Sequence, residues 1–207
     1  EESLVASGYP MAVNAEMREP LAQDWKRGDS LTTASAKNCA HGQWLTGVRV
    51  AFDVTFSNKA WIEAERYRFF EFVSSQSTMH RITKFDLTEQ YDTHVDQRII
   101  DIMIEKVSEY NWLINEKVKS KMIQKYGESE YEKLLKEEYL EILYSNPSGF
   151  LLTARITTNY RCLLNMYIQR KDHRLPEWKR FCEELLHLPH FALFLRAYRN
   201  EEIEEEK

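Results

Sequence analysis

The stretch Thr157–His173, TTNYRCLLNMYIQRKDH, decides how this chain is read. Arg161, Asn165 and Gln169 recur at steps of four, so on a helix opening after Asn159 they stack along one face, while Leu163, Leu164, Met166, Tyr167 and Ile168 occupy much of the rest. A polar stripe on such a helix faces water, another polar element or a ligand, since buried donors without partners cost about 1–3 kcal/mol each. Asn is an odd choice for a solvated face in a chain whose other helices use Glu and Lys, and Arg170, Lys171 and His173 cluster at the helix end. The pattern suits an anion.

Upstream of the stripe, Phe150, Leu152, Ala154 and Ile156 alternate as a strand after the NPSG turn at 146–149, and Asn159 is placed to cap the helix that follows. A clearer strand runs from Val48 to Phe56, where Val48, Val50, Phe52, Val54 and Phe56 alternate with Arg49, Ala51, Asp53 and Thr55. Ser57 and Asn58 then cap a helix expected over Lys59–Val73, ending in the polar loop SSQSTMH. A long helical region is expected from about Asp92 to Tyr126, with Val95, Ile99, Ile102, Met103, Val107 and Tyr110 inward and Gly127 as its break. Ser129 and Glu132 read as a capping box for another helix, with Tyr131, Leu134, Leu135 and Ile142 inside, and Pro176 opens a last helix through Trp178, Phe181 and Leu185. Turns, a short strand and irregular segments are expected in the first forty residues, around Gly8, Pro10, Pro20 and Gly28, and a frayed acidic tail at NEEIEEEK.

The chain has 207 residues, enough for one domain with a sizeable core, and no linker or repeat divides it, so a single domain over 1–207 is expected. Hydrophobic residues make up 43%, with no stretch near the roughly 18 apolar residues of a membrane span and no signal sequence, so a cytoplasmic protein is expected. A net charge of −5 gives no general attraction to nucleic acid, although an arginine cluster can still hold a small anion. Cys39, Cys162 and Cys182 lack metal-like spacing and read as buried thiols, and Pro189 keeps His187 and His190 off a shared helix face, so no metal is assigned.

The spacing Asn159, Arg161, Asn165, Arg170 resembles the C-terminal cofactor-binding helix of the flavin-dependent thymidylate synthases. A weaker match is Arg68-Phe69-Phe70, seven residues, Thr78, which resembles the family's Arg-His-Arg, seven residues, Ser; His41-Gly42 resembles its His-Gly. Phe69 and Phe70 stand where the family has flavin-holding His and Arg, Gln76 stands at its Glu, and His80 stands at a phosphate-gripping Arg; Leu143 aligns with a second phosphate Arg that Arg155 or Arg81 can replace.

What the resemblance implies is an α+β fold with a central antiparallel or mixed sheet flanked by long helices. It implies FAD held by Arg68, Asn159, Arg161 and Asn165, and a pyrimidine nucleotide, dUMP first, held by Gln76, Ser77, Thr78, His80, Arg81 and Arg170. Arg170 is the expected catalytic residue, stabilising negative charge on the uracil ring. The implied reaction converts dUMP to dTMP with methylenetetrahydrofolate as carbon donor, reduced FAD as hydride source and NADPH as reductant, without a nucleophilic cysteine, in a homo-oligomer expected to be a tetramer. The losses at Phe69, Phe70 and His80 keep a second reading open, a non-catalytic descendant binding a nucleotide or a protein; a helical interaction protein without nucleotide is the third.

Overall fold

The structure is a computed structural model, which describes Ser30 and residues 39–199. The expected turns and short strand around Gly8, Pro10, Pro20 and Gly28, the acidic tail, and the side chains of Cys39 and His41 lie outside the described residues. The chain order is a 3-10 helix (Cys39–Thr46), β1 (Arg49–Ser57), α1 (Asn58–Ala64), β2 (Glu71–Ser75), α2 (Thr78–Arg81), a second 3-10 helix (Ile82–Lys84), α3 (Gln97–Leu113), α4 (Glu116–Tyr126), α5 (Glu128–Ser145), β3 (Leu151–Asn159), α6 (Tyr160–Arg170), α7 (Pro176–Leu185) and α8 (Phe191–Arg199). The strands form an antiparallel sheet in the order β1-β3-β2, so the fold is α+β, as the resemblance implies. No helix among the described residues is long and apolar enough to cross a membrane.

The described residues form two compact units, one from residues 39–53, 63–73 and 155–199, the other from 54–62 and 74–154. In the second, Ile82, Leu87, Tyr91, Ile100, Met103, Val107, Ile142 and Phe150 form the core. Ile99 and Ile102, expected inside, are exposed, because the isoleucines at 99, 100, 102 and 104 fit two phases of one helical period and packing selects Ile100 and Ile104. The single helix expected over 92–126 is two. α3 ends at Leu113 with Ile114 as its C-cap, and Asn115 caps α4, its side chain accepting from Lys117 N at 3.1 Å. The Ser129–Glu132 capping box is not used, since Gly127, at φ 89°, opens α5 directly at Glu128. Tyr131 is buried and donates its hydroxyl to Leu113 O at 3.0 Å, satisfying a carbonyl at the end of α3.

In the first unit the alternation of β1 holds: Arg49, Ala51 and Asp53 are exposed, and Val50 and Phe52 are half-buried. Asp53 pairs with Arg155 across β1 and β3 at 2.7 Å. The helix expected over Lys59–Val73 stops at Ala64, and the chain turns twice, with Tyr67 N donating to Ala64 O and Phe70 N to Tyr67 O, before Glu71–Ser75 forms β2. The reason is Phe70, 3% exposed, whose ring packs against Phe52 and Phe181; an unbroken helix would forfeit that burial. Trp178, Tyr160, Phe191 and Phe194 complete this unit's aromatic core, and the Tyr160 hydroxyl donates to Pro189 O at 2.7 Å.

Candidate cofactor cleft

Helix α6 opens as the sequence predicts. Asn159 is still extended, at φ −137° and ψ 160°, and its side-chain oxygen accepts from Cys162 N at 3.0 Å. Leu163, Leu164 and Met166 anchor the helix in the core, which leaves the polar stripe on the remaining face. That face borders a cleft of about 610 Å³, within the size range of small-molecule sites. Its walls are the 3-10 helix, through Gly42, Gln43, Leu45 and Thr46; the turn after α1, through Arg66, Tyr67, Arg68 and Phe69; and α6, through Asn159, Arg161, Cys162, Leu164 and Asn165.

Arg68, Asn159, Arg161 and Asn165, proposed from two stretches about 90 residues apart, thus meet on one cavity. Arg66 joins them, and no carboxylate is among the lining residues that the structure describes. Three guanidinium groups on one cleft, in a chain of net charge −5, are a local concentration of positive charge suited to small anions. Tyr67 and Phe69 add aromatic surface; Phe69 is 49% exposed and packs under the Arg68 guanidinium at 5.5 Å. Arg66, Gln43 and Thr46 were missed by sequence reasoning; Arg66 and Arg68 share a short turn that looks like ordinary helix until its break at Ala64 is known.

The two phenylalanines at family site positions have separate fates, since Phe69 borders the cleft and Phe70 is core. Cys162 lines the cleft, but burial pushes its thiol pKa up, so the neighbouring Arg161 does not make it a ready nucleophile. Burial raises Cys182 further, to about 11. Both are free thiols. Among the described residues no cluster of three or more His, Cys, Asp or Glu is placed to hold a metal.

Arg170 is not among the residues lining the cleft. Its Nη1 donates to Glu63 Oε2 at 2.6 Å, its Nε donates to the Tyr67 hydroxyl at 2.8 Å, and its guanidinium lies over the Trp178 ring at 4.8 Å. Trp178 Nε1 donates to the same Glu63 oxygen at 3.1 Å, and His173 Nε2 lies 3.3 Å from it. Tyr67 in turn donates to Gln169 Oε1 at 2.9 Å, and Gln169 Nε2 donates to Asn165 Oδ1 at 3.0 Å. The helix-end cation is therefore joined to the cleft through Tyr67.

The remaining expected nucleotide ligands belong to the second unit. Gln76 extends the sheet there, its N donating to Thr153 O and its Oε1 accepting from Thr153 N at 2.9 Å. Ser77 and Thr78 open α2 without a side-chain cap; His80 and Arg81 are exposed at its end, Arg81 over the Phe85 ring at 5.7 Å.

No family model matches the chain, and no curated protein matches its sequence. Solved structures do match in fold. The flavin-dependent thymidylate synthase ThyX from Helicobacter pylori, solved with FAD and dUMP, aligns at TM-score 0.60 and 14% identity over 95% of both chains. Another structure of the Helicobacter pylori enzyme with FAD and dUMP aligns at TM-score 0.57 and 15% identity over 84% of both. What these share with this chain is the fold.

Proposed function

We propose that the chain binds FAD in this cleft and acts as a flavin-dependent thymidylate synthase-like protein, converting dUMP to dTMP, or methylating a related pyrimidine nucleotide, with methylenetetrahydrofolate as carbon donor and NADPH as reductant. One observation supports this most: Arg68, Asn159, Arg161 and Asn165, the residues the family pattern singles out, line a single cavity with no acid among its described lining residues. The donor set suits the cofactor. Arg66, Arg68 and Arg161 match the charge of phosphate oxygens, Asn159 and Asn165 offer amides to a polar ring edge, and Tyr67, Phe69, Leu45 and Leu164 offer apolar area to a flat ring.

When bound and reduced, FAD supplies the hydride that turns a transferred methylene group into a methyl group. The protein's part is to hold the anions, orient the ring edge and exclude water where Leu45 and Leu164 close the wall. Gln76, Ser77, Thr78, His80 and Arg81 remain the proposed nucleotide contacts, in a cytoplasmic homo-oligomer. FAD titrated into the purified protein should give a bound flavin spectrum, and dUMP, UMP or dCMP added next should perturb it, the one that does so naming the substrate. A protein that ignores FAD refutes the reading.

A second reading, binding without turnover, is favoured by Arg170, the expected catalytic residue, being engaged by Glu63, Tyr67 and Trp178. Growth of a thymidine-requiring cell on this chain would exclude it.

A further inference from the structure

Among the described residues three amide side chains line the cleft, and in each the oxygen is engaged by a protein donor. Asn159 Oδ1 accepts from Cys162 N, and Gln43 Oε1 accepts from Arg161 Nη1. Asn165 Oδ1 accepts from Gln169 Nε2 at 3.0 Å. Backbone N–H and guanidinium groups only donate, so the first two amides have no alternative orientation that keeps these bonds. The third is less direct. An amide pair such as Gln169–Asn165 can in general reverse, both groups flipping together.

Here the far end of the chain forbids reversal. Arg170 Nε–H, an obligate donor, uses the Tyr67 oxygen as acceptor at 2.8 Å. The Tyr67 O–H then donates onward to Gln169 Oε1 at 2.9 Å, which turns Gln169 Nε2 to Asn165. Arg170 itself is fixed by the Glu63 carboxylate and the Trp178 face, with 15% of its side chain exposed.

We propose that the cleft is held with its amide NH2 groups offered to the ligand, and that Arg170, acting through Tyr67 and Gln169, is the positioning residue that sets Asn165. Resting on the proposed function, this narrows the ligand: its polar edge beside α6 presents acceptors, such as ring carbonyl or phosphate oxygens, and an amino-bearing edge is rejected.

Gln169→Glu tests this without touching the cleft lining. The carboxylate still accepts from Tyr67, but it accepts from Asn165 as well, which turns Asn165 Oδ1 toward the ligand. In 1H–15N spectra of the full chain, the Asn165 side-chain amide, identified by its loss in Asn165→Asp, should shift downfield in Gln169→Glu, with no ligand needed. An unmoved amide overturns the proposal. In titrations, Gln169→Glu should weaken FAD and the uncharged riboflavin alike, about tenfold, as one donor is exchanged for an opposed acceptor. A loss seen only with FAD and screened by salt would mark simple charge repulsion and overturn the proposal, as would unchanged binding of both. If the wild type binds neither flavin, the proposed function fails, and the amide shift alone decides whether the polarity is as inferred.

Discussion

Replacing Arg170 with Met leaves the Glu63 carboxylate in place, with 21% of its side chain exposed, having lost its guanidinium partner at 2.6 Å. Trp178 Nε1 still donates to it and His173 Nε2 stays 3.3 Å away, but these contacts do not offset the loss of the guanidinium. Breaking a fully buried pair costs about 3–5 kcal/mol; with both partners partly open to water, about 2–4 kcal/mol is expected, including the cation–π contact over Trp178. For a chain of this length that lowers the melting temperature by roughly 5–15 °C. Glu63→Gln alone should cost less, near 1–2 kcal/mol, because the amide oxygen keeps the Trp178 bond and Arg170 retains two aromatic faces. The two changes should therefore not add. In the Arg170→Met background Glu63→Gln removes an orphaned charge and should raise stability by about 1–2 kcal/mol, so the same substitution changes sign. Urea unfolding of the four proteins, followed by tryptophan fluorescence, measures this. If Glu63→Gln destabilises Arg170→Met as much as it destabilises the wild type, the network is not the coupled unit described.

Asn159→Ala should cost about 1 kcal/mol of stability by uncapping α6 and should also weaken flavin binding, whereas Asn159→Ser should keep the cap and lose only the amide contact; melting curves and FAD titrations separate the two effects. Gly149→Ala drives a Cβ into Val95 Cγ2 and should cost about 1–3 kcal/mol, a loss that Val95→Ala should largely restore in the double variant. Burial raises the Tyr91 and Tyr160 phenols from 10.0 to about 12. Unfolded phenols lose their protons near 10.0 and folded ones near 12, so deprotonation favours the unfolded state in that interval. Stability should hold below pH 10 and fall steadily above it, as denaturant midpoints taken across the range will show. Cys182, raised to about 11, should resist iodoacetamide at pH 8 in the folded protein and react once the chain is unfolded.

What the sequence determined on its own was local. The alternation of Val48–Phe56, the cap at Asn159, the Pro176 helix start and the four-residue recurrence along α6 depend on neighbours within a turn or a pleat, and each is where it was expected. The residues proposed to hold the cofactor were legible as a group, because the Asn159, Arg161, Asn165 spacing places them on one face whatever surrounds it, and that face lines the cleft. Tertiary structure decided the rest. Residues 65–75 satisfy helical spacing as well as they satisfy a turn and a strand, and the burial of Phe70 between Phe52 and Phe181 selects the latter. Arg170 looked like a ligand group, yet its nearest carboxylate is Glu63, 107 residues earlier, and its route to the cleft runs through Tyr67, 103 residues earlier. A guanidinium is satisfied by whichever acceptor the fold brings within 3 Å, and periodicity contains no information about that partner.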